Sequence, residues 1–168
     1  MLQTLEPMLQ EFRRESDTTR RVLDRVPADK LGWAPHPKSM TLGKLANHIA
    51  SVPGGISRIA QKDVHEIDPT GFQPQQPKDK KEILATFEAS VKSAEDFVSN
   101  MNEAAVTATW RLTAQGKEVL ALPRVQLVRD IMLNHWYHHR GQLSVYLRLL
   151  DVPVPSIYGP SADESPFN

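Results

Sequence analysis

The chain has no cysteine. That absence excludes a disulfide framework, a thiolate nucleophile and a thiolate metal site, so a tight metal site has to use His, Asp or Glu. It suits a reducing compartment without requiring one. No run of about 18 apolar residues occurs, so no transmembrane helix is expected. Met1 to Glu6 lacks the basic segment and unbroken apolar stretch of a secretory signal, and a cytoplasmic protein is the expectation. An excess of one charge is missing too, since 20 Lys and Arg balance 20 Asp and Glu. Bulk attraction to nucleic acid or to an anionic membrane is therefore not expected. What is present is ordinary for a soluble protein: 168 residues, 40% hydrophobic and 24% charged. Such a length can bury a full core as one domain, expected to span 1–168.

Four segments carry helical periodicity. In the first, Leu2, Leu5, Leu9, Phe12, Ser16, Thr19, Leu23 and Val26 recur at spacings of three and four until Pro27. Ser16 and Thr19 interrupt this seam, and hydroxyls there are expected to bond back to their own helix, the alternative being a role facing a cavity. A proline-rich loop over 27–40 contains His36, and Ser39 or Thr41 can cap the next helix. That second helix uses Leu45, Ile49, Val52, Ile56 and Ile59, and it keeps its phase through Pro53-Gly54-Gly55, which predicts a kink rather than a break. Residues 64–80, rich in Pro, Gln and Asp, read as a loop that includes His65. The third helix comes next with Ile83 or Leu84, then Phe87, Val91, Ala94, Val98 and Met101.

The texture then changes. Thr107, Thr109 and Arg111 alternate with Ala108, Trp110 and Leu112, Gln115-Gly116-Lys117 offers a turn, and Glu118 to Leu122 can return, so a short hairpin-like connection is expected. Pro123 suits the first turn of the fourth helix, whose seam includes Val128, His135, His139 and Tyr146. The tail after Asp151 carries four prolines, so it is expected to lie across the helices as an extended strap. The resulting fold class is all-α, a four-helix bundle with a hairpin-like insertion before its last helix.

The fourth helix holds the most informative stretch, Asn134 to Gln142. His135 and His139 sit four apart and project from one face, where two imidazoles can share one metal ion. At roughly 100° per residue the apolar stripe centres near His135, with His139 about 40° away and His138 about 60° to the other side. His135 and His139 are therefore the inward pair and His138 a rim residue, either a donor that supports a ligand from outside or simply exposed. A lone histidine on an apolar face is usually a hydrogen-bonded core residue, but two buried imidazoles double the desolvation that partners must offset. His48 lies about 60° off the seam of the second helix, from which it could reach a neighbour. His36 and His65 read as solvated. Gln142 lies near His139 and could orient its ring. Arg140 points away and reads as an ion-pair or interface residue. No carboxylate lies inside the motif, so the His-Glu-x-x-His reading fails, and no catalytic residue is named.

These residues also carry a resemblance. Pro35-His36-Pro37-Lys38-Ser39, Thr41 to Leu45 and Asn47-His48-Ile49-Ala50 resemble the amino-terminal half of DinB/YfiT-like metalloenzymes. Asn134 to Gln142 resembles that family's carboxy-terminal signature, and Val154 to Ser161 resembles its tail. The resemblance implies an up-down-down-up bundle, often a homodimer, with a divalent metal held by His48, His135 and His139. Imidazole suits Zn, Ni, Fe, Co and Cu alike; zinc or nickel is expected first, then iron, manganese or cobalt. Some relatives join a low-molecular-weight thiol to an electrophile. A thiol (S-)transferase acting on small molecules is thus the leading expectation, with the metal lowering the thiol's pKa. A metal-dependent hydrolase and a non-catalytic metal-binding bundle are the alternatives.

Overall fold

The computed structural model describes residues 5–68, 71 and 73–167, so Leu2 of the first seam lies outside the described residues. Helix α1 spans Glu6–Leu23, with Pro7 in its first turn and Arg20 and Arg21 in its last, each where the helix end favours it. It buries Leu9, Phe12, Ser16, Thr19, Val22 and Leu23. Ser16 donates to the Phe12 carbonyl at 2.7 Å, but the Thr19 hydroxyl serves Arg140, far along the chain. Helix α2, Leu42–Ala60, starts where the Thr41 hydroxyl accepts from the Lys44 N–H, and it runs unbroken through Pro53. Helix α3, Lys80–Ser99, is capped by Asp79 and buries Ile83, Phe87, Ser90, Ala94 and Val98. A five-residue helix, α4, covers Glu103–Thr107.

Side-chain pairings give the helix directions. Gly54 and Ser57 of α2 meet Ser90 and Ser93 of α3 in the same order, so these two helices run parallel. Their long connection is the crossover that parallel neighbours need. Arg13 and Arg20 of α1 meet Glu95 and Glu88 of α3 in reverse order, so α1 opposes them. Two glycines permit the close approaches. A Cβ on Gly54 would fall 2.9 Å from the Ser90 Cα, and one on Gly43 would fall 3.0 Å from the Leu31 carbonyl.

The all-α expectation is wrong. Strand β1, Val64–Glu66, pairs parallel with β2, Thr109–Ala114, which pairs antiparallel with β3, Lys117–Pro123. The β2–β3 hairpin follows the alternation seen in the sequence, and Gln115 and Gly116 both take positive φ in its two-residue turn. Strand β1 lies inside the segment read as loop. Three residues are too few to display alternation, and the hairpin edge supplies the pairing that holds them. The chain is a helical bundle with a three-stranded mixed sheet at one end. Arg124 fastens that end: its guanidinium donates to the Ala60 and Ala105 carbonyls at 2.7 and 2.8 Å and pairs with Asp63 at 2.6 Å.

The last helical stretch consists of α5 (Arg124–Leu127), a π-helical segment (Val128–Asn134) and α6 (His135–Leu149). Pro123 stands just outside it, at the capping position. The tail is non-helical and tied by ion pairs of Arg21 with Glu164 and Arg148 with Asp163. No helix among the described residues is long and apolar enough to cross a membrane.

Candidate metal centre

Helices α2 and α6 build the site. Trp136, fully buried, donates its indole N–H to the Ile49 carbonyl at 2.8 Å. That bond joins the chain neighbour of His135 to the chain neighbour of His48, so it fixes the two helices where their imidazoles meet. Phe12 stacks on the same indole at 5.6 Å and packs it from α1.

The π-helical segment sets the phase of α6. Wide turns of this kind are rare and concentrate at functional sites. From Leu133, near the end of that segment, the buried stripe continues through Trp136, Arg140, Leu143 and Leu147, one residue on from the stripe expected at regular helical periodicity. His135 and His139 consequently flank the core, half-buried, rather than sit in its centre. A ligand can reach them there.

The structure brings His48, His135 and His139 together. One ring nitrogen from each lies within 4.8 Å of the other two. Ring centroids are 5.2 Å apart for His48 and His135, 4.4 Å for His48 and His139, and 4.5 Å for His135 and His139. Gln142 determines the tautomer of His139. Its Oε1 accepts from Nδ1–H at 2.7 Å, while its amide faces His138 Nε2 at 3.1 Å. The lone pair of His139 is then on Nε2, aimed at His135 Nε2 2.7 Å away. Holding the outer nitrogen so that the inner one can ligate is how metal-binding histidines are usually oriented.

All three imidazoles are pushed toward the neutral form. His48 is only 8% exposed, and burial, followed by the neighbouring His139 and His135, lowers its pKa to about 4. His135 is lowered by burial and then by His139, against an opposing pull from the Ile131 backbone, which its Nδ1 faces without a well-aligned hydrogen bond. Burial lowers His139 as well, and the Gln142 contact opposes it. Neutral imidazole is the form that binds a divalent cation. The donor set, its spacing and its protonation fit such an ion.

The other candidates fall elsewhere. His36 is exposed in its turn, with Nδ1 accepting from the Lys38 N–H at 3.1 Å, and His138 is exposed beside Gln142. Arg140 does turn away from the site into an ion pair with Glu15 at 2.6 Å, yet it is only 1% exposed. It donates to Thr19 at 3.1 Å and to the Tyr158 hydroxyl at 2.6 Å, between the Tyr137 and Tyr158 rings. His65, expected to be solvated, is half-buried instead. Strand β1 carries it to the wall of a 740 Å³ cavity that opens over the three imidazoles. Met40, Val52, Ile56, Ile59 and Pro74 make that wall mainly apolar, and Ser51, Gly55 and Arg58 complete it. The signal for His65 lay in the pairing of β1 with β2, which no local pattern announces. A more open cleft of 850 Å³ lies by Arg124 and the end of α3, away from the histidines, and lacks their chemistry.

A sequence profile of the DinB family matches residues 1–166. A Bacillus subtilis (strain 168) protein, YrdA, itself described as uncharacterized, is 26% identical over 171 residues, covering 98% of this chain and 93% of its own. A DinB-like crystal structure from Bacillus cereus ATCC 10987 superposes with a TM-score of 0.67 at 22% identity, over 89% of this chain and 95% of that one. A mycothiol-dependent maleylpyruvate isomerase superposes at 0.56 and 16% identity, over 88% of this chain and 61% of that one. At such identities the structural likeness concerns the fold.

Proposed function

The chain belongs to the DinB family, and from its trio of neutral imidazoles we propose that it is a metal-dependent S-transferase joining a low-molecular-weight thiol to a small electrophile. The convergence of His48, His135 and His139 at the base of a largely apolar cavity carries this reading. A divalent ion held by them, zinc or nickel first, would supply Lewis acidity and lower the pKa of a thiol. The chain has no cysteine, so the nucleophilic sulfur has to come from the substrate. The mycothiol dependence of one structural neighbour supports a thiol partner.

The residues themselves have distinct tasks. The three imidazoles are held neutral near pH 7, so each has one lone pair to offer and no net proton has to be released when a cation binds. Gln142 keeps the His139 lone pair pointed inward. Met40, Val52, Ile56 and Ile59 exclude water, which suppresses hydrolysis of an electrophile. In the reaction the thiol loses its S–H proton to solvent and a sulfur electron pair forms the new S–C bond; the electrons of the broken C–X bond leave with the halide or, for an epoxide, stay on the ring-opened oxygen, which takes up a proton.

The test begins with protein purified without a nickel column and its metal content measured. One ion per chain is expected, lost in His135→Ala and His139→Ala and retained in His138→Ala and His36→Ala. Glutathione, bacillithiol, mycothiol and cysteine are then offered with haloaromatic and epoxide acceptors. Thiol consumption should require metal and disappear on chelation. Ester or conjugate hydrolysis without thiol would replace this reading with a hydrolase, and a metal-loaded protein inert to both would leave a binding bundle.

A further inference from the structure

None of the described residues lining the 740 Å³ cavity is an aspartate or a glutamate. Its ionisable residues are four histidines and Arg58. Arg58 is exposed at the rim and has no carboxylate partner among the described residues, whereas every other arginine except Arg14 faces one. An exposed arginine without a partner is common by itself. Its place over a cavity whose described lining carries only neutral and positive groups gives it meaning, because such a lining focuses a positive potential on whatever enters. A dication held by neutral imidazoles would add charge that no described residue of the lining balances.

The geometry gives the recognition a length. Ser51, Gly55 and Arg58 lie along one flank of α2 at helical spacing. Gly55 leaves that flank open, since a Cβ there would meet nothing within 4 Å. Arg58 lies ten positions after His48, roughly 15 Å of helix rise. Side chains of both residues lean back toward the N-terminus, the longer arginine further than the histidine, so the guanidinium stands on the order of 10 Å from the imidazoles. Val52 and Ile56 lie between them along the helix, and Ile59 lines the same cavity.

We propose that Arg58 binds a carboxylate or similar anionic group of the ligand, roughly 10 Å from the atom that meets the imidazole trio. The ligand class is then an elongated anion with an apolar body, in place of a short neutral thiol or electrophile. The identification of that ligand as a thiol rests on the proposed S-transferase function; the anion site does not.

Cobalt-loaded full-length protein provides the test. It is titrated with mercaptopropionate, mercaptohexanoate and mercaptooctanoate and with their amides, following the sulfur-to-cobalt absorption band. The preference for acid over amide should grow with chain length to about tenfold, the worth of one charge-assisted contact. It should vanish in Arg58→Gln and survive in part in Arg58→Lys, which keeps the charge but not the fork. Amide affinity should stay unchanged in both, showing an intact site. Succinate, adipate and suberate, each against its half-amide, repeat the measurement without sulfur through the cobalt d–d bands. If no thiol produces the sulfur band, the thiol reading falls, while a suberate preference lost in Arg58→Gln still upholds the anion site. A preference that persists in Arg58→Gln, the absence of any preference in the native protein, or a cobalt spectrum unmoved by every acid overturns it.

Discussion

Three imidazoles within 4.8 Å resist sharing positive charge, and burial makes even one protonation costly. His48 shows the consequence for stability. Its pKa falls from 6.5 to about 4 on folding, through burial first and then through His139 and His135. The unfolded chain therefore binds the proton more readily, and the stability associated with neutral His48 is present above 6.5 and lost as pH falls through about 4. Denaturant melts of metal-free protein across this window should lose stability faster than melts of His48→Gln, and equal slopes would refute the assignment. At Gln142 the effect belongs to the metal. Gln142→Ala frees the His139 ring to turn, and metal affinity measured by chelator competition should fall about 10–100-fold with the fold unchanged.

Among the elements, α2 carries two adjacent glycines with opposite roles. Gly54 lets α3 approach and donates its N–H to the Ser90 hydroxyl at 2.7 Å, so Gly54→Ala drives a methyl into a backbone and should cost about 1–3 kcal/mol. Gly55→Ala meets open space, and the gain in helix propensity should leave the protein equally stable or up to about 1 kcal/mol more stable. Thermal melts of the pair decide this, and equal effects would contradict the packing described. The sequence made α1, α2 and α3 legible because their Leu, Ile and Phe residues recur at three and four over many turns. The β2–β3 hairpin was legible from its alternation and its Gln115-Gly116 turn. Strand β1 was not, because Val64–Glu66 owes its form to Arg111, Leu112 and Thr113 far along the chain. The π-helical segment leaves no mark in a periodicity, and it displaced the buried stripe by one residue onto Trp136 and Arg140. The histidine pair was still found, since i and i+4 remain neighbours whatever the stripe does. The cavity roles of His65 and Arg58 depend on how strand β1 and the rim of α2 meet in space, which local spacing does not encode.

At the scale of the whole molecule, the core and the site are separable. Arg140 ties α1, α6 and the tail through Glu15, Thr19 and Tyr158 on the side away from the cavity. Arg140→Ala leaves the nearly buried Glu15 carboxylate with only the Tyr158 hydroxyl as donor, and the loss should be about 3 kcal/mol, the lower end for breaking such a pair, read from denaturant melts. Removing the metal should do much less. The main core comprises Leu9, Phe12, Leu23, Leu45, Ile49, Ile83, Phe87, Met132, Trp136 and Leu143, none of which needs an ion to be buried. The three histidines flank that core, and in the absence of a cation the His135–His139 contact at 2.7 Å and the Gln142 bond still satisfy much of their polarity. This is unlike a small zinc domain, whose folding energy is the metal's binding energy. A ligand bound only by the native state still stabilises it by mass action. Chelation should therefore lower the melting temperature by several degrees while the helical circular-dichroism signal persists, and readdition of zinc should restore the lost degrees. Collapse of the helical signal on chelation would mean that the three imidazoles hold the bundle together, and the separation of core from site would be wrong.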